Sequence, residues 1–288
     1  MYAITGITGK VGGATAKALL AARLPVRAVL RDPAKATHWA GLGCEIAVAE
    51  MEDAKALTTA FTGATAVFIL PPSEFDPEPG FPEARAVISA VSEAIDAARP
   101  GRVVCLSTIG AQAEQSNLLT QRTLMEQALA NASVPVTFLR PAWFMENSLW
   151  DIASAKETGV LSAYLQPLDR AFPMVATADI GLVAAALLQQ TWTGNRVVEL
   201  EGPARVSQND IAAMLAQLLG RPVQAHAVPR ETWGAVFQGQ GMRDPIPRIQ
   251  MLDGFNEGWI SFEGGKAKHI LGTVGMVEVL KKLIADAA

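Results

Sequence analysis

An α/β fold, a doubly wound parallel sheet with helices on both faces and a smaller C-terminal α+β lobe, is predicted by three observations. Short apolar strands alternate with helix-like stretches through the first half of the chain, a glycine-rich turn joins the first strand to the first helix, and the alternation stops near residue 150. Strands are expected near 2–5, 26–31, 44–49, 65–70, 102–107 and 135–140, and helices near 11–22, 34–41, 53–61, 82–98, 118–132 and 143–157. Apolar strands separated by helices require a parallel sheet covered on both faces, and right-handed crossovers then give the strand order 3-2-1-4-5-6. Residues 1–150 are expected to form the main unit and 151–288 the smaller lobe, with segments near 170–200 returning to the first.

The first strand and helix carry the most informative run, TGITGKVGG, Thr5 to Gly13. Gly6 allows the sharp turn off the strand, Gly9 lets a ligand approach the backbone, and Gly12 lets the helix pack close to the sheet. A helix that opens in this way leaves backbone N–H groups unpaired at its start, and these attract phosphate. The spacing is GxxGxxG rather than GxGxxG, but its place between a strand and a helix, with a second strand, PVRAVLR, soon after, makes it a Rossmann dinucleotide site. Thr8, Lys10 and Val11 lie within the cradle and are its further expected contacts.

Ligands of such sheets lie beyond the carboxyl ends of the strands, so the residues after each strand are the next candidates. Strand two ends in Arg31, 19 residues after Gly12, with Lys35 close behind. An acidic residue there holds a ribose 2′-hydroxyl, whereas arginine suits a 2′-phosphate, so the expected cofactor is NADP(H). Asp32 offers the competing contact with the ribose. Strand three leads to Glu50 and Met51, which border the expected adenine position, while Asp53 fits a helix cap equally well. Strand four leads to Leu70 and Pro71 and then to the Pro-rich loop 71–82, expected to lie over the cofactor as a mobile flap. Strand five delivers Ser107 and Thr108, able to bond a substrate carbonyl or the nicotinamide ribose, or to serve as turn hydroxyls. Strand six delivers Arg140 and Pro141, followed by Trp143, Phe144 and Asn147, which form either a platform for a flat substrate or plain core.

In the second half, helices are expected at 177–190 and 207–220, with a strand in NRVVELEG between them and a strand-to-helix passage in HAVPRETWGAVF. Half of the 288 residues are apolar, the net charge is −4, and the basic residues are scattered, which excludes the electrostatic footprint of a nucleic-acid or acidic-membrane binder. No run approaches a membrane span, and a first strand at residue 2 leaves no room for a signal peptide, so a cytoplasmic protein is expected. Cys44 and Cys105 read as small buried residues without a disulfide, and His38, His226 and His269 lack metal-ligand spacing.

The glycine loop, Arg31, the Ser107-Thr108 strand end, FLRPAWFMEN and the tail RIQMLDGFNEGWISFEGG together resemble the NmrA-like group of atypical short-chain dehydrogenases/reductases. That group contains NAD(P)H-dependent quinone reductases, a triphenylmethane dye reductase and regulators that bind NAD(P) without doing chemistry. The resemblance implies NADP(H), a small aromatic or quinone-like substrate and a homodimer. Catalytic short-chain dehydrogenases carry a proton-donating Tyr with a Lys four residues later, and the matching positions here are Leu118 and Arg122. Leucine donates no proton, which speaks against alcohol oxidation and against sugar epimerisation. Two readings stay open: direct hydride transfer to a conjugated acceptor, with Ser107 or Arg122 stabilising the developing oxyanion, and a cofactor-sensing interaction protein.

Overall fold

The computed structural model describes residues 1–265 and 267–287. The first half alternates as expected: β1 (Tyr2–Ile4), α1 (Lys10–Ala21), β2 (Val26–Leu30), α2 (Ala36–Gly41), β3 (Glu45–Val48), α3 (Ala54–Phe61), β4 (Ala66–Ile69), α4 (Pro82–Ala98), β5 (Val103–Leu106), α5 (Thr120–Leu129) and β6 (Val136–Pro141). Beyond it come β7 (Trp143–Phe144), α6 (Leu149–Glu157), β8 (Val160–Ala163), β9 (Met174–Val175), α7 (Thr177–Leu188), β10 (Arg196–Glu201), α8 (Gln208–Leu219), β11 (Gln224–Ala227), α9 (Trp233–Gly239), α10 (Ile246–Glu257), β12 (Lys268–Leu271) and α11 (Met276–Asp286).

The main sheet runs β12-β10-β6-β5-β4-β1-β2-β3, and its pairings are parallel. Its inner part is the doubly wound order that alternation predicts, a Rossmann-like α/β fold. The period of two along the buried strands sorts the core. Phe68, Val104 and Leu139 face one way with Leu19 of α1 and Ile180 of α7, whereas Val67, Val103 and Phe138 face the other with Phe61, Ile95 and Met125. Each such side chain contributes about 2 kcal/mol by leaving water. A third apolar cluster gathers residues from 145–176, 206–223, 233–260 and 276–283.

Two features depart from the pattern read in the sequence. The stretch 143–157 is not one helix: Trp143 and Phe144 are extended and pair with Met174 and Val175, a 3₁₀ turn spans Met145–Ser148, and α6 begins only at Leu149. The helix expected over 118–132 is confined to Thr120–Leu129: ahead of it the Leu118 N–H bonds the Pro247 carbonyl at 2.9 Å and the Leu119 N–H bonds Asn117 Oδ1 at 2.7 Å, and behind it the Ala132 N–H turns back to the Leu129 carbonyl at 3.1 Å. After β6 the chain returns to the sheet twice, as β10 and as the edge strand β12. KHIL, with two apolar residues in four, gives no strand signal of its own. No helix among the described residues is long and apolar enough to cross a membrane.

Candidate functional site

At the carboxyl end of β1, Thr5 stitches two strands: its hydroxyl donates to the Phe68 carbonyl at 3.1 Å and accepts the Leu70 N–H at 2.8 Å. Gly6 then turns the chain at φ +59°, and Gly9 N–H closes the turn on the Gly6 carbonyl at 3.0 Å. A Cβ on Gly12 would stand 2.3 Å from the Gly6 oxygen, so helix and turn approach as closely as only glycine permits. Helix α1 opens from Gly9 with no side-chain cap and no acidic residue in its first turn. The N–H groups of Lys10, Val11 and Gly12 are therefore left to an outside acceptor, beside exposed Thr8, Gly9 and Lys10. Leu70 packs over Gly6, and Pro71 is buried next to it. A cradle narrowed by Gly12 and free of side chains at Gly9 fits a dinucleotide pyrophosphate.

At the next strand end, Arg31 and Lys35 are exposed and form no ion pair among the described residues. Asp32 Oδ1 instead accepts the Ala34 N–H at 3.0 Å and caps the turn Pro33–Lys35. Its carboxylate serves the backbone, leaving the cations available. Glu50 is exposed and Met51 half-buried at the end of β3, and Asp53 caps α3 through Ala56 N–H at 2.9 Å.

On the other side of β1, Ser107 leaves β5 with its N–H bonded to the Leu139 carbonyl at 2.7 Å, and its hydroxyl donates to Glu126 Oε1. Glu126 is gripped by Arg140, Nε to Oε1 at 2.9 Å and Nη2 to Oε2 at 2.6 Å. Arg140 reaches onward to Glu263 at 2.6 Å and Gln112 at 3.1 Å. Burial works against the Arg140 charge, but the hydrogen bonds and charges of Glu126 and Glu263 outweigh it and raise its pKa above the ordinary value. Ser107, Glu126 and Arg140 are all buried.

These contacts change what Ser107 and Arg122 can do. The only hydroxyl proton of Ser107 is committed to Glu126, so the side chain offers lone pairs and not the donor an oxyanion needs. Arg122 sits in the first turn of α5 and donates to Pro71 O at 3.0 Å, Pro72 O at 3.1 Å and Ser73 Oγ at 2.6 Å. Burial lowers its pKa to about 10, which leaves it cationic at neutral pH. Its role in this geometry is to hold the chain behind β4.

The loop 71–82 is correspondingly tied down rather than free. Gln121 Nε2 bonds the Glu74 carbonyl at 2.8 Å, and Asp76 accepts from Arg243 Nε at 3.0 Å, from Arg243 N–H at 2.9 Å and from Asp244 N–H at 3.0 Å. Those bonds hold the Asp76 carboxyl down to about 2, the Asp244 and Arg243 backbone donors first.

Past β6, Trp143 meets Phe255 of α10 edge to face with ring centroids 5.2 Å apart. Phe144 is half-buried beside the sheet core, and Asn147 is exposed in the 3₁₀ turn. Neighbouring Glu146 is engaged elsewhere, accepting the Thr177 N–H at 2.9 Å. In the same apolar cluster, Tyr164 lies 5.7 Å from Trp233 and 5.2 Å from Phe237, and the Arg248 guanidinium stands 4.1 Å over the Phe237 ring. Burial pushes the Asp151 carboxyl up to about 7. Glu126, Tyr164 and Arg248 went unassigned in the sequence. A charge inside the apolar strand VTFLRP was the available clue to the first, since buried arginine requires a carboxylate.

Grooves of about 650 Å³ at β3 and α3 and about 750 Å³ at α5, β6 and β10 touch neither the glycine turn nor Trp143. Cys44 and Cys105 are buried free thiols. Among the described residues no cluster of three His, Cys, Asp or Glu side chains is placed to hold a metal ion.

Residues 6–191 match the family described as NAD(P)H-binding. The chain is 28% identical over 249 residues to an NAD(P)H azoreductase of Xenophilus azovorans, covering 85% of this chain and 83% of the relative. To quinone oxidoreductase 2 of Escherichia coli it is 27% identical over 248 residues, 85% of this chain and 84% of the relative. The structure of an NADPH-dependent quinone oxidoreductase from Escherichia coli, complexed with NADPH, superposes with a TM-score of 0.75 over 99% of this chain and 95% of that one at 24% identity.

Proposed function

The chain belongs to the NAD(P)H-binding family, and from that premise we propose that it is an NADPH-dependent reductase passing hydride to a conjugated small-molecule acceptor such as a quinone. The observation that supports the reading is that the uncapped start of α1 follows β1 and the Trp143–Phe255 pair follows β6, both beyond the carboxyl ends of strands of one parallel sheet. The relatives' names support it, since azo compounds and quinones are both conjugated acceptors. A purely regulatory NAD(P)-sensing role has no such support.

When bound, NADPH supplies the hydride, and quinone, hydride and one proton make hydroquinone. The protein's own part is placement. The N–H groups of Lys10, Val11 and Gly12 hold the pyrophosphate, with Gly6, Thr8 and Gly9 shaping the turn. Arg31 and Lys35 take the 2′-phosphate, Glu50 and Met51 border the adenine, and Leu70, Pro71 and Pro141 line the path to the nicotinamide. Ser107, its proton fixed on Glu126, accepts from a nicotinamide-ribose hydroxyl or the carboxamide N–H. Trp143, Phe144 and Asn147, with the C-terminal segments beyond 151, bound the acceptor.

Leu118 explains the choice of acceptor. A carbonyl reduced in isolation becomes an alkoxide that needs an acid at once, whereas a quinone's anion is delocalised and takes its proton from water. Orienting two flat partners is worth about 7–11 kcal/mol in well-aligned cases. The test is NADPH oxidation followed by stopped flow against quinones and against simple ketones. Turnover of quinones alone is expected; no hydride transfer to any acceptor overturns the proposal.

A further inference from the structure

Arg248 stands apart from the other arginines that are buried or half-buried. Arg27 and Arg140 have carboxylate partners, Arg102 and Arg122 bond carbonyl oxygens, and Arg196 bonds Thr137 Oγ1 and Gln190 Oε1. Among the described residues Arg248 has no oxygen acceptor: its Nη1 faces Met242 Sδ at 3.8 Å, and its guanidinium lies on the Phe237 ring. Burial lowers its pKa, with the Tyr164 hydroxyl acting weakly the other way. Drawing a guanidinium out of water without a carboxylate is unfavourable, and a ring face compensates only in part.

Its position links this cation to the acceptor wall. Pro247, the preceding residue, accepts the Leu118 N–H, so the start of α10 abuts the segment that follows β5. Arg248 and Phe255 are seven residues apart and share a face of α10, about 10 Å along the helix axis. Phe255 meets Trp143 at one end of that face, and Arg248 lies beside Phe237 and Tyr164 at the other. Asp151, the carboxyl that bears on Tyr164, makes no ion pair with Arg248 among the described residues.

We propose that Arg248 receives an anionic oxygen group on the acceptor, so that the preferred substrates are flat conjugated molecules bearing a carboxylate, sulfonate or phosphate at one end. This rests on the reductase reading for the word acceptor but is tested without turnover. Naphthalene-2-sulfonate and 2-naphthalenemethanol have the same ring system, and neither is reduced. Calorimetry of the two on the protein saturated with NADP⁺ is expected to give tighter binding of the sulfonate by at least about tenfold, the range of a charge-assisted contact. In Arg248→Met, whose fold is checked by its coenzyme binding, the ratio falls toward one; Arg248→Lys restores part of it.

Equal affinities in the unaltered protein, or a preference that survives Arg248→Met, overturn the inference. Failure to reduce 1,4-naphthoquinone overturns the reductase reading and leaves the sulfonate preference to be judged by calorimetry.

Discussion

The Ser107 hydroxyl donates to the Glu126 carboxylate, which Arg140 already grips through two parallel bonds of 2.9 and 2.6 Å. A side chain at the sheet's carboxyl edge is thereby locked in one rotamer with lone pairs outward. The two residues contribute unequally to stability. Glu126→Gln leaves Arg140 buried without its main counter-charge and is expected to cost about 3–5 kcal/mol. Ser107→Ala removes one hydrogen bond and is expected to cost about 1 kcal/mol. Urea denaturation of both variants measures the difference, and equal losses contradict the arrangement.

Gly12→Ala places a methyl group 2.3 Å from the Gly6 oxygen, inside any permitted contact. Opening the turn is expected to cost about 1–3 kcal/mol and to spread the N–H donors proposed to hold the pyrophosphate. Thermal melting should fall and the NADPH dissociation constant, from fluorescence titration, should rise together. Unchanged coenzyme affinity rules out the cradle.

Arg31→Ala is expected to weaken NADPH binding by about 1.5–3 kcal/mol, the range of a charge-assisted hydrogen bond, while leaving NADH binding nearly unaltered. Fluorescence titration with both coenzymes distinguishes this from a surface charge of no consequence, which would leave both affinities untouched.

Asp151 gives stability a pH dependence of known sign. Burial pushes its carboxyl up to about 7. Below the ordinary carboxylate range, folded and unfolded chains both carry the proton. As the pH rises toward 7 the unfolded chain has released it, while the folded chain must retain it or bury a charge, so the stability present at low pH is lost through that interval. Asp151→Asn, which does not titrate, should therefore stabilise the protein more at pH 8 than at pH 5, by about 1–2 kcal/mol once partial exposure is allowed for. Denaturation at the two pH values measures it, and an equal effect at both contradicts the burial.

Local chemistry was enough for the elements that set the coenzyme end. The alternation seen in Val67 and Phe68 or Val103 and Val104 and the glycines at 6, 9 and 12 all act over a few residues, and each is where periodicity or spacing puts it. Trp143 and Phe144 were harder. In isolation they continue into a helix-compatible stretch, but Met174 and Val175, thirty residues on, offer a pairing edge that outweighs helix propensity. Tertiary neighbours likewise made the Pro-rich loop an anchored segment, because Arg122, Gln121 and Arg243 reach its carbonyls and Asp76 from separate parts of the chain.

The sequence by itself determined the parallel sheet and the glycine turn that opens α1, since these follow from side-chain period and backbone freedom. Only the tertiary structure decided that the Ser107 proton belongs to Glu126, that Arg122 serves a loop, that KHIL becomes the edge strand β12 and that Arg248 stands on the Phe237 ring with no carboxylate partner among the described residues. Those facts depend on which distant groups come within hydrogen-bond reach, and a charge's role is set by the partner that satisfies it rather than by its place along the chain.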